Sequence, residues 1–191
     1  MSNAITIEHA GPATIVRFVR PEIRNPLSVH VLAELQRIVD SLDDACGKLI
    51  FTGTANVFAS GADLREIAGV TADDAREFAI RGQRLMNAIA GLRCTTIAAV
   101  NGYCFGGALD LALACGVRIA SPGAVFSHPG VGLGIMTGWG GTQRLPRLIG
   151  EARALEMFMT ARRVEAPEAL RYGLVDLIAE DATGAALGFV P

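Results

Sequence analysis

Residues 95–116 have the sequence TTIAAVNGYCFGGALDLALACG, in which an apolar run, a glycine-bearing turn and a second apolar run follow one another. The apolar run over Thr95–Val100 predicts a buried strand, and the pattern over Ala108–Ala114 predicts a helix. Between them lies the glycine-bearing turn Asn101–Gly107. Unpaired N–H groups at such a helix start can face a cleft and bind an anion. Asp110 lies in the first helical turn, where a carboxylate interacts favourably with the helix dipole.

A second stretch, LIFTGTANVFASGADLREI over residues 49–67, repeats this arrangement. Lys48–Thr52 is predicted to form a short buried strand, and a loop of small residues leads to Gly61. A short helix is predicted over Ala62–Ala68. Glycines at a single helix entry often serve only close packing, whereas two such turns indicate two donor sites.

The rest of the chain alternates predicted strands and helices. An amino-terminal hairpin, a helix from Ser28 to about Leu42, and a capping box of Thr71 and Asp74 opening a helix to about Ala90 precede the central stretch. The later predicted elements are strands Val117–Ala120, Ala124–Phe126 and Leu174–Ala179, a loop from Pro129 to Gly141, and helices Thr142–Ile149, Ala152–Thr160 and Pro167–Tyr172. This order predicts an α/β fold with crossover connections and one domain over residues 1–191.

Composition excludes several classes of protein. With 51% hydrophobic and 19% charged residues the chain is expected to fold, and 17 basic against 19 acidic residues give no basic face for nucleic acid. No apolar run reaches the roughly 18 residues of a membrane span. The four cysteines form no C-x-x-C pair, so we expect a reducing cytoplasm. The segment GVGLGIMTG lacks the spacing of a dinucleotide-binding fingerprint, no G-x-S-x-G elbow occurs, and no metal is expected.

Three motifs together resemble those of the enoyl-CoA hydratase/isomerase family, also called the crotonase superfamily. They are GADLREI at 61–67, VNGYCFGGALDLALACGVRIAS at 100–121 and GWGGTQRLPRLIG at 138–150. The resemblance extends from about Ile5 to Ala179. It implies a crotonase-like spiral of ββα units, assembly as trimers or pairs of trimers, and an acyl-CoA thioester substrate. Coenzyme A is then part of the substrate, with no permanently bound cofactor.

The resemblance also implies the site. The backbone N–H groups of Ala62 and Gly107 are expected to form an oxyanion hole for the thioester carbonyl, with Asp110 as a catalytic carboxylate. Coenzyme A is expected along the segment Ser60, Ala62, Asp63, Leu64 and Arg65, and Gly107 is expected to contact the substrate as well. Preorganised N–H donors stabilise the negative charge that develops on a carbonyl oxygen. Arg24 and Arg65 are candidates to meet the coenzyme's phosphates because arginine suits phosphate.

The chain departs from the family pattern in its proton-handling groups. A hydratase of this family uses two glutamates, and the matching positions are Asp110 and Gly130. Asp110 keeps a carboxylate, whereas Gly130 has no side chain to titrate. His128 is the nearest replacement candidate; we favour its interpretation as a partly buried loop residue hydrogen-bonded to backbone. We interpret Cys104 and Trp139 as packing residues.

Three functions therefore stay open. The first is an enzyme of enoyl-CoA hydratase/isomerase type acting through Ala62, Gly107 and Asp110. The second is a decarboxylase-like member, in which loss of carbon dioxide generates the enolate and less proton handling is needed. The third is a non-catalytic acyl-CoA-binding protein. Only twelve residues follow Ala179, so we expect the family's carboxy-terminal helices to be missing or shortened.

Overall fold

The computed structural model of the chain describes residues 4–43 and 45–190, and its larger sheet is the centre of the fold. The six strands of this sheet are Ile5–Ala10 (β1), Ala13–Phe18 (β2), Lys48–Thr52 (β4), Thr95–Val100 (β7), Val117–Ala120 (β9) and Leu177–Ile178 (β12). Their spatial order is β1-β2-β4-β7-β9-β12. The β1–β2 hairpin is antiparallel as predicted, and the remaining neighbours pair in parallel.

A smaller sheet runs beside the first. Its strands are Val57–Ala59 (β5), Tyr103–Phe105 (β8), Val125–Ser127 (β10) and Val164–Glu165 (β11), in the order β11-β10-β8-β5. A two-stranded pair joins Pro26–Leu27 (β3) to Gly61–Ala62 (β6).

Eight α-helices in the described residues connect and cover these sheets, and two short 3-10 helices lie at Pro21–Ile23 and Pro129–Leu133. The α-helices are Val29–Ser41 (α1), Leu64–Ile67 (α2), Ala72–Ala90 (α3), Gly107–Ala114 (α4), Gly141–Ile149 (α5), Glu151–Thr160 (α6), Ala166–Tyr172 (α7) and Ala182–Gly188 (α8). Each crossover passes from the larger sheet to the smaller sheet and then into a helix: β4, β5 and α2; β7, β8 and α4; β9, β10 and α5. The predicted spiral of ββα units is confirmed.

The predicted caps explain two of the helix starts. The Ser28 hydroxyl accepts a hydrogen bond from the Val31 N–H at the start of α1, and the Thr71 hydroxyl accepts one from the Asp74 N–H at the start of α3. Helix α4 is central, since every residue from Ala108 to Ala114 is buried. A helix buried on all sides should be apolar all round, and Asp110 is the charged exception.

The structure corrects several predicted boundaries. The helix predicted over Ala62–Ala68 is α2, which begins at Leu64 because the Asp63 carboxylate accepts the Arg65 N–H as its cap. Ala62 belongs instead to strand β6. Strands β5 and β8 occupy parts of a predicted loop and a predicted turn, because parallel pairing to each other and to neighbouring strands orders segments whose own sequence favours turns.

The carboxy-terminal helix α8 was also missed. Its buried residues Ala182 and Ala186 pack on the face of the larger sheet formed by Ile15, Ile50 and Ile97. The sequence ATGAALG is short and rich in glycine and alanine, so it lacks the amphipathic period that predicts a helix. The small side chains instead allow close approach to the sheet.

Candidate active site

The head of α4 is built around a glycine pair. Gly106 has φ +54°, a conformation that side chains rarely adopt, and its N–H donates to the carbonyl of Ser127 at the end of β10. This turn ends β8 and starts α4 at Gly107. As the first residue of the helix, Gly107 has an N–H without an intrahelical acceptor.

Strand β6 lies directly against this helix start. A Cβ built on Gly61 would lie 2.7 Å from the Gly107 nitrogen and 2.6 Å from the Phe105 carbonyl oxygen. Only glycine permits this approach, and its φ of +89° also requires glycine. Ala62 follows Gly61 directly, so the close approach of Gly61 also brings Ala62 near Gly107. These are the two residues predicted to supply the N–H donors.

The pairing of β6 with β3 leaves the Ala62 N–H available. Pro26 has no N–H, so its pairing with Gly61 uses the N–H and C=O of Gly61. In a parallel ladder the next residue, Ala62, directs its N–H to the opposite side. Among the described residues, neither the Ala62 N–H nor the Gly107 N–H donates to a loop, turn or side-chain acceptor.

A cavity of about 400 Å³ opens at this point. Its volume lies within the usual range for small-molecule sites. Ser60, Ala62, Gly106 and Gly107 form one wall, and apolar side chains form most of the rest. They include Leu64, Ile67, Val70, Phe78, Val131, Leu133, Ile135, Met136, Trp139 and Phe158. The polar lining side chains are Ser60, His128 and Thr137.

Asp110 lies behind the cavity wall rather than in it. It is fully buried on α4, one helical turn after Gly107, and its Oδ2 accepts a hydrogen bond from the Thr137 hydroxyl. Burial raises the pKa of Asp110 to about 7. The Thr137 hydroxyl, the backbone N–H of Trp139 and the charge of Arg144 act in the opposite direction and lower this pKa, but burial has the larger effect. Thr137 therefore stands between the carboxylate and the cavity.

His128 is the second titratable group at this wall. It is 3% exposed, lines the cavity, and its ring centroid lies 5.0 Å from that of Phe158. Burial lowers the pKa of His128 to about 4, so the ring is neutral at physiological pH. The expectation of a hydrogen bond to backbone is wrong, because Nε2 has no hydrogen-bond partner within the described residues.

Comparisons with known proteins agree with this architecture. The family model for enoyl-CoA hydratase/isomerase matches residues 10–183. The chain belongs to the enoyl-CoA hydratase/isomerase family. It is 38% identical over 181 residues to the short-chain-enoyl-CoA hydratase of Clostridium acetobutylicum, covering 93% of this chain and 69% of that protein. It is 39% identical over 179 residues to the crotonyl-CoA hydratase of Syntrophomonas wolfei, covering 92% and 69%.

Solved structures show the same fold. The structure of Pseudomonas aeruginosa DspI superposes with a TM-score of 0.92 at 37% identity, covering 97% of this chain and 78% of that one. Enoyl-CoA hydratase from Bacillus anthracis superposes with a TM-score of 0.92 at 35% identity, covering 97% and 74%. The crotonase fold is therefore shared almost throughout the chain.

Gly130 is the position at which the family resemblance led us to expect a second carboxylate, and glycine has no side chain to supply one. Gly130 lines the cavity, and a Cβ built on it would lie 2.4 Å from the carbonyl oxygen of Ile135. The Ile135 N–H in turn donates to the Gly130 carbonyl. The loop closes over this position, so a side chain there would require the loop to move.

The segment expected to contact coenzyme A divides into two sides. Ser60, Ala62 and Leu64 line the cavity. Asp63 and Arg65 point elsewhere, because Arg65 donates to both carboxylate oxygens of Asp63 and its side chain is 77% exposed. This pairing holds the pKa of Asp63 below its ordinary value. Arg24 is exposed, and its carbonyl accepts the Ser60 N–H.

Trp139 has a larger structural role than its sequence context indicated. Cβ atoms built on Gly82 and Gly107 would lie 2.2 and 2.3 Å from its indole ring, so the ring fills the space between α3 and α4. It is 3% exposed and forms part of the cavity wall. The expectation that Trp139 packs is confirmed. A glycine inside a predicted helix indicates that a neighbouring group lies too close for a side chain, and at Gly82 that neighbour is the Trp139 ring.

In residues 4–43 and 45–190 no three His, Cys, Asp or Glu side chains cluster so as to hold a metal ion. No helix of that part of the chain has the length and apolar character needed to cross a membrane. All four cysteines are free, and Cys104 is buried as a packing residue.

Proposed function

We propose that the protein is an acyl-CoA enzyme of enoyl-CoA hydratase/isomerase type that stabilises a thioester enolate with the N–H groups of Ala62 and Gly107. The main support for this proposal is the close approach of Gly61 to the head of α4, since Ala62 and Gly107 on either side of this contact both line the cavity. Both residues have an N–H that their own strand or helix leaves unused.

The chemistry follows from the position of these donors. Removing a proton next to a thioester, or adding a nucleophile in conjugation with it, moves negative charge onto the carbonyl oxygen. Donors fixed by backbone need no reorganisation when the charge appears, and each contributes roughly 3 to 4 kcal/mol by analogy with measured oxyanion holes. The apolar remainder of the cavity suits an acyl chain and strengthens these interactions by excluding water.

The named relatives support the substrate class. The proteins from Clostridium acetobutylicum and Syntrophomonas wolfei are named as hydratases of enoyl-CoA and crotonyl-CoA thioesters. Ser60, Ala62 and Leu64 lie at the cavity beside the proposed donors, where the coenzyme is expected to bind. Asp110 supplies the carboxyl group of the site, held by the Thr137 hydroxyl.

The test is a panel of thioesters assayed by mass spectrometry. Crotonyl-CoA and 3-hydroxybutyryl-CoA test hydration in both directions, and malonyl-CoA and methylmalonyl-CoA test decarboxylation. We expect product from at least one thioester, with a lower rate in Asp110→Asn. Binding of every thioester without product would instead support a non-catalytic acyl-CoA-binding protein, and absence of binding would refute the acyl-CoA assignment.

A further inference from the structure

A buried pair of side chains lies immediately behind the proposed oxyanion site. The Oδ1 of Asp110 and the Nε2 of His128 are 3.5 Å apart, on residues that are 0% and 3% exposed. Within the described residues neither atom has a hydrogen-bond partner. A buried polar atom left unpaired is unfavourable, and a small approach of the two groups would satisfy both atoms with one hydrogen bond.

The carboxylate of this pair is held in place from the other side. Its Oδ2 accepts a hydrogen bond from the Thr137 hydroxyl. A Cβ built on Gly141 would lie 2.1 Å from Oδ1, so only glycine leaves room beside this oxygen. Asp110 is therefore oriented with Oδ1 directed at His128.

The histidine connects this carboxylate to the cavity. His128 lines the cavity and Asp110 does not. Nε2 is buried and lies 3.5 Å from Oδ1 of Asp110, so Nδ1 is the ring nitrogen on the side away from the carboxylate. Nδ1 is therefore the ring nitrogen that meets a bound molecule, while Nε2 faces Asp110.

We propose that His128 is the catalytic residue that exchanges a proton with the carbon next to the thioester carbonyl, and that Asp110 is a positioning residue acting through Nε2. This inference rests on the proposed function and assigns its proton transfer. It also accounts for Gly130, because the proton-handling group enters the cavity two residues earlier in the chain.

The step balances without a further reactant. Before reaction Asp110 is ionised and accepts a hydrogen bond from the Nε2–H of His128, which leaves the lone pair of Nδ1 directed at the substrate. Nδ1 takes the proton from carbon, and the electrons of the broken C–H bond move into the carbonyl. The resulting oxyanion accepts hydrogen bonds from the N–H groups of Ala62 and Gly107. The reverse transfer returns the proton to carbon.

Burial favours the uncharged form of both Asp110 and His128, so the protonation of the pair changes near neutral pH. It raises the pKa of Asp110 to about 7 and lowers that of His128 to about 4. Two titratable or charged groups face the pair, the Cys104 thiol on β8 and the Arg144 guanidinium on α5. The other neighbours are uncharged: the Thr137 hydroxyl contacts Asp110, and the Phe158 ring on α6 contacts His128. The reactive form, with Asp110 ionised, therefore predominates above about pH 7, so proton abstraction is expected to rise with pH through neutrality and then level off.

Deuterium exchange tests this assignment without requiring a full catalytic cycle. Butyryl-CoA is incubated with the protein in D2O, and loss of its α-proton signal is followed by NMR. We expect exchange in the unmodified protein and a loss of about 100-fold or more in His128→Gln, the typical contribution of a general base. Asp110→Asn should lower the rate and remove its rise through neutral pH. His30→Gln, at an exposed histidine, is the matched control and should exchange normally.

The outcomes separate this inference from the proposed function. Exchange in His128→Gln at the unmodified rate and with the unmodified pH profile would overturn the role of His128 and leave the acyl-CoA assignment intact. Butyryl-CoA binding without exchange in the unmodified protein would overturn the enolate chemistry itself. Binding of butyryl-CoA to each variant shows whether the cavity is still folded.

A second measurement needs no substitution at the site. The chain has three histidines, His9, His30 and His128, so imidazole ¹⁵N spectra assign His128 by elimination with His9→Gln and His30→Gln. We expect His128 to change from the Nδ1–H to the Nε2–H tautomer as pH rises between about 5 and 9. Ionised Asp110 accepts a hydrogen bond from Nε2–H and so favours that tautomer. A ring that keeps one tautomer throughout would contradict the pairing.

Discussion

At the scale of single residues, the site depends on one contact that only glycine permits. Gly61 places strand β6 against the Phe105 carbonyl and the Gly107 nitrogen. The two proposed donors are backbone atoms, so no side-chain deletion removes them. Their spacing is instead sensitive to any atom added between the two segments.

Gly61→Ala tests that spacing. The added methyl would meet the Gly107 nitrogen at 2.7 Å, and φ +89° is strained for alanine, so the strand and the helix start must separate. We expect kcat to fall by about 100-fold or more with a smaller change in KM, because donors to the oxyanion act mainly in the transition state. Gly123→Ala, which has nothing within 4 Å of the new methyl, is the control and should leave kcat unchanged.

The buried pair predicts opposite effects of pH on stability in two variants. In Asp110→Asn the remaining His128 has a pKa of about 4 folded against an ordinary 6.5, so the unfolded chain binds more protons between these values. Its free energy of unfolding should rise by roughly 3 kcal/mol from pH 4 to 6.5. In His128→Gln the remaining Asp110 has a pKa of about 7 against an ordinary 3.8, so the folded chain binds more protons. That free energy should fall by roughly 4 kcal/mol from pH 3.8 to 7.

Denaturant unfolding at a series of pH values measures both slopes. The pKa shifts arise from burial, so they persist when the partner is replaced. In the unmodified protein the two slopes oppose each other, and its stability should vary little between pH 4 and 6.5. Parallel slopes in the two variants would show that the pair does not titrate as described.

At the scale of elements, α3 and α4 are held apart by the Trp139 ring. Alanine usually stabilises a helix relative to glycine by roughly 0.5 to 1 kcal/mol. At Gly82 of α3 the opposite applies, since the new methyl would lie 2.2 Å from the indole. The glycine therefore serves packing at the expense of helix propensity.

Gly82→Ala should consequently destabilise the protein, by about 1 to 3 kcal/mol as expected for an overpacked core. Thermal unfolding measures the change. Gly188→Ala in α8, with nothing within 4 Å of the new methyl, is the helical control and should be neutral or slightly stabilising. Destabilisation of equal size in both variants would remove Trp139 from the explanation.

Elements with a strong internal pattern were predictable, and those that depend on distant partners were not. The caps at Ser28 and Thr71 placed α1 and α3 almost to the residue. Strands β5 and β8 were not predicted because their segments are rich in turn-forming residues and become strands only by pairing with each other and, for β8, with β10. The same limit applies to the site. The approach of His128 to Asp110 joins α4 to the segment after β10, and no local pattern reports that contact.

At the scale of the whole molecule, one helix presents apolar side chains to solvent. Leu155 and Met159, four residues apart on α6, are 60% and 59% exposed. Side chains at this spacing share one helix face, and such apolar faces often mark an interface between subunits. The family resemblance leads us to expect a trimer or a pair of trimers.

Sedimentation velocity tests this expectation. We expect the unmodified protein to sediment as a trimer or hexamer, and the double substitution Leu155→Ser with Met159→Ser to shift it toward monomer. Ile7→Ser, on an exposed apolar residue of β1, is the comparison and should keep the assembly. A monomer in the unmodified protein at micromolar concentration would contradict the expected oligomer.

The proposed function requires the Ala62 and Gly107 amides to donate hydrogen bonds to the same thioester oxygen. A crystal structure with a bound, unreactive acyl-CoA analogue measures this arrangement directly. We predict that both nitrogens lie about 2.7 to 3.2 Å from the carbonyl oxygen, the range of N–H···O hydrogen bonds. A carbonyl bound elsewhere in the cavity, or within reach of only one of the two amides, would contradict it.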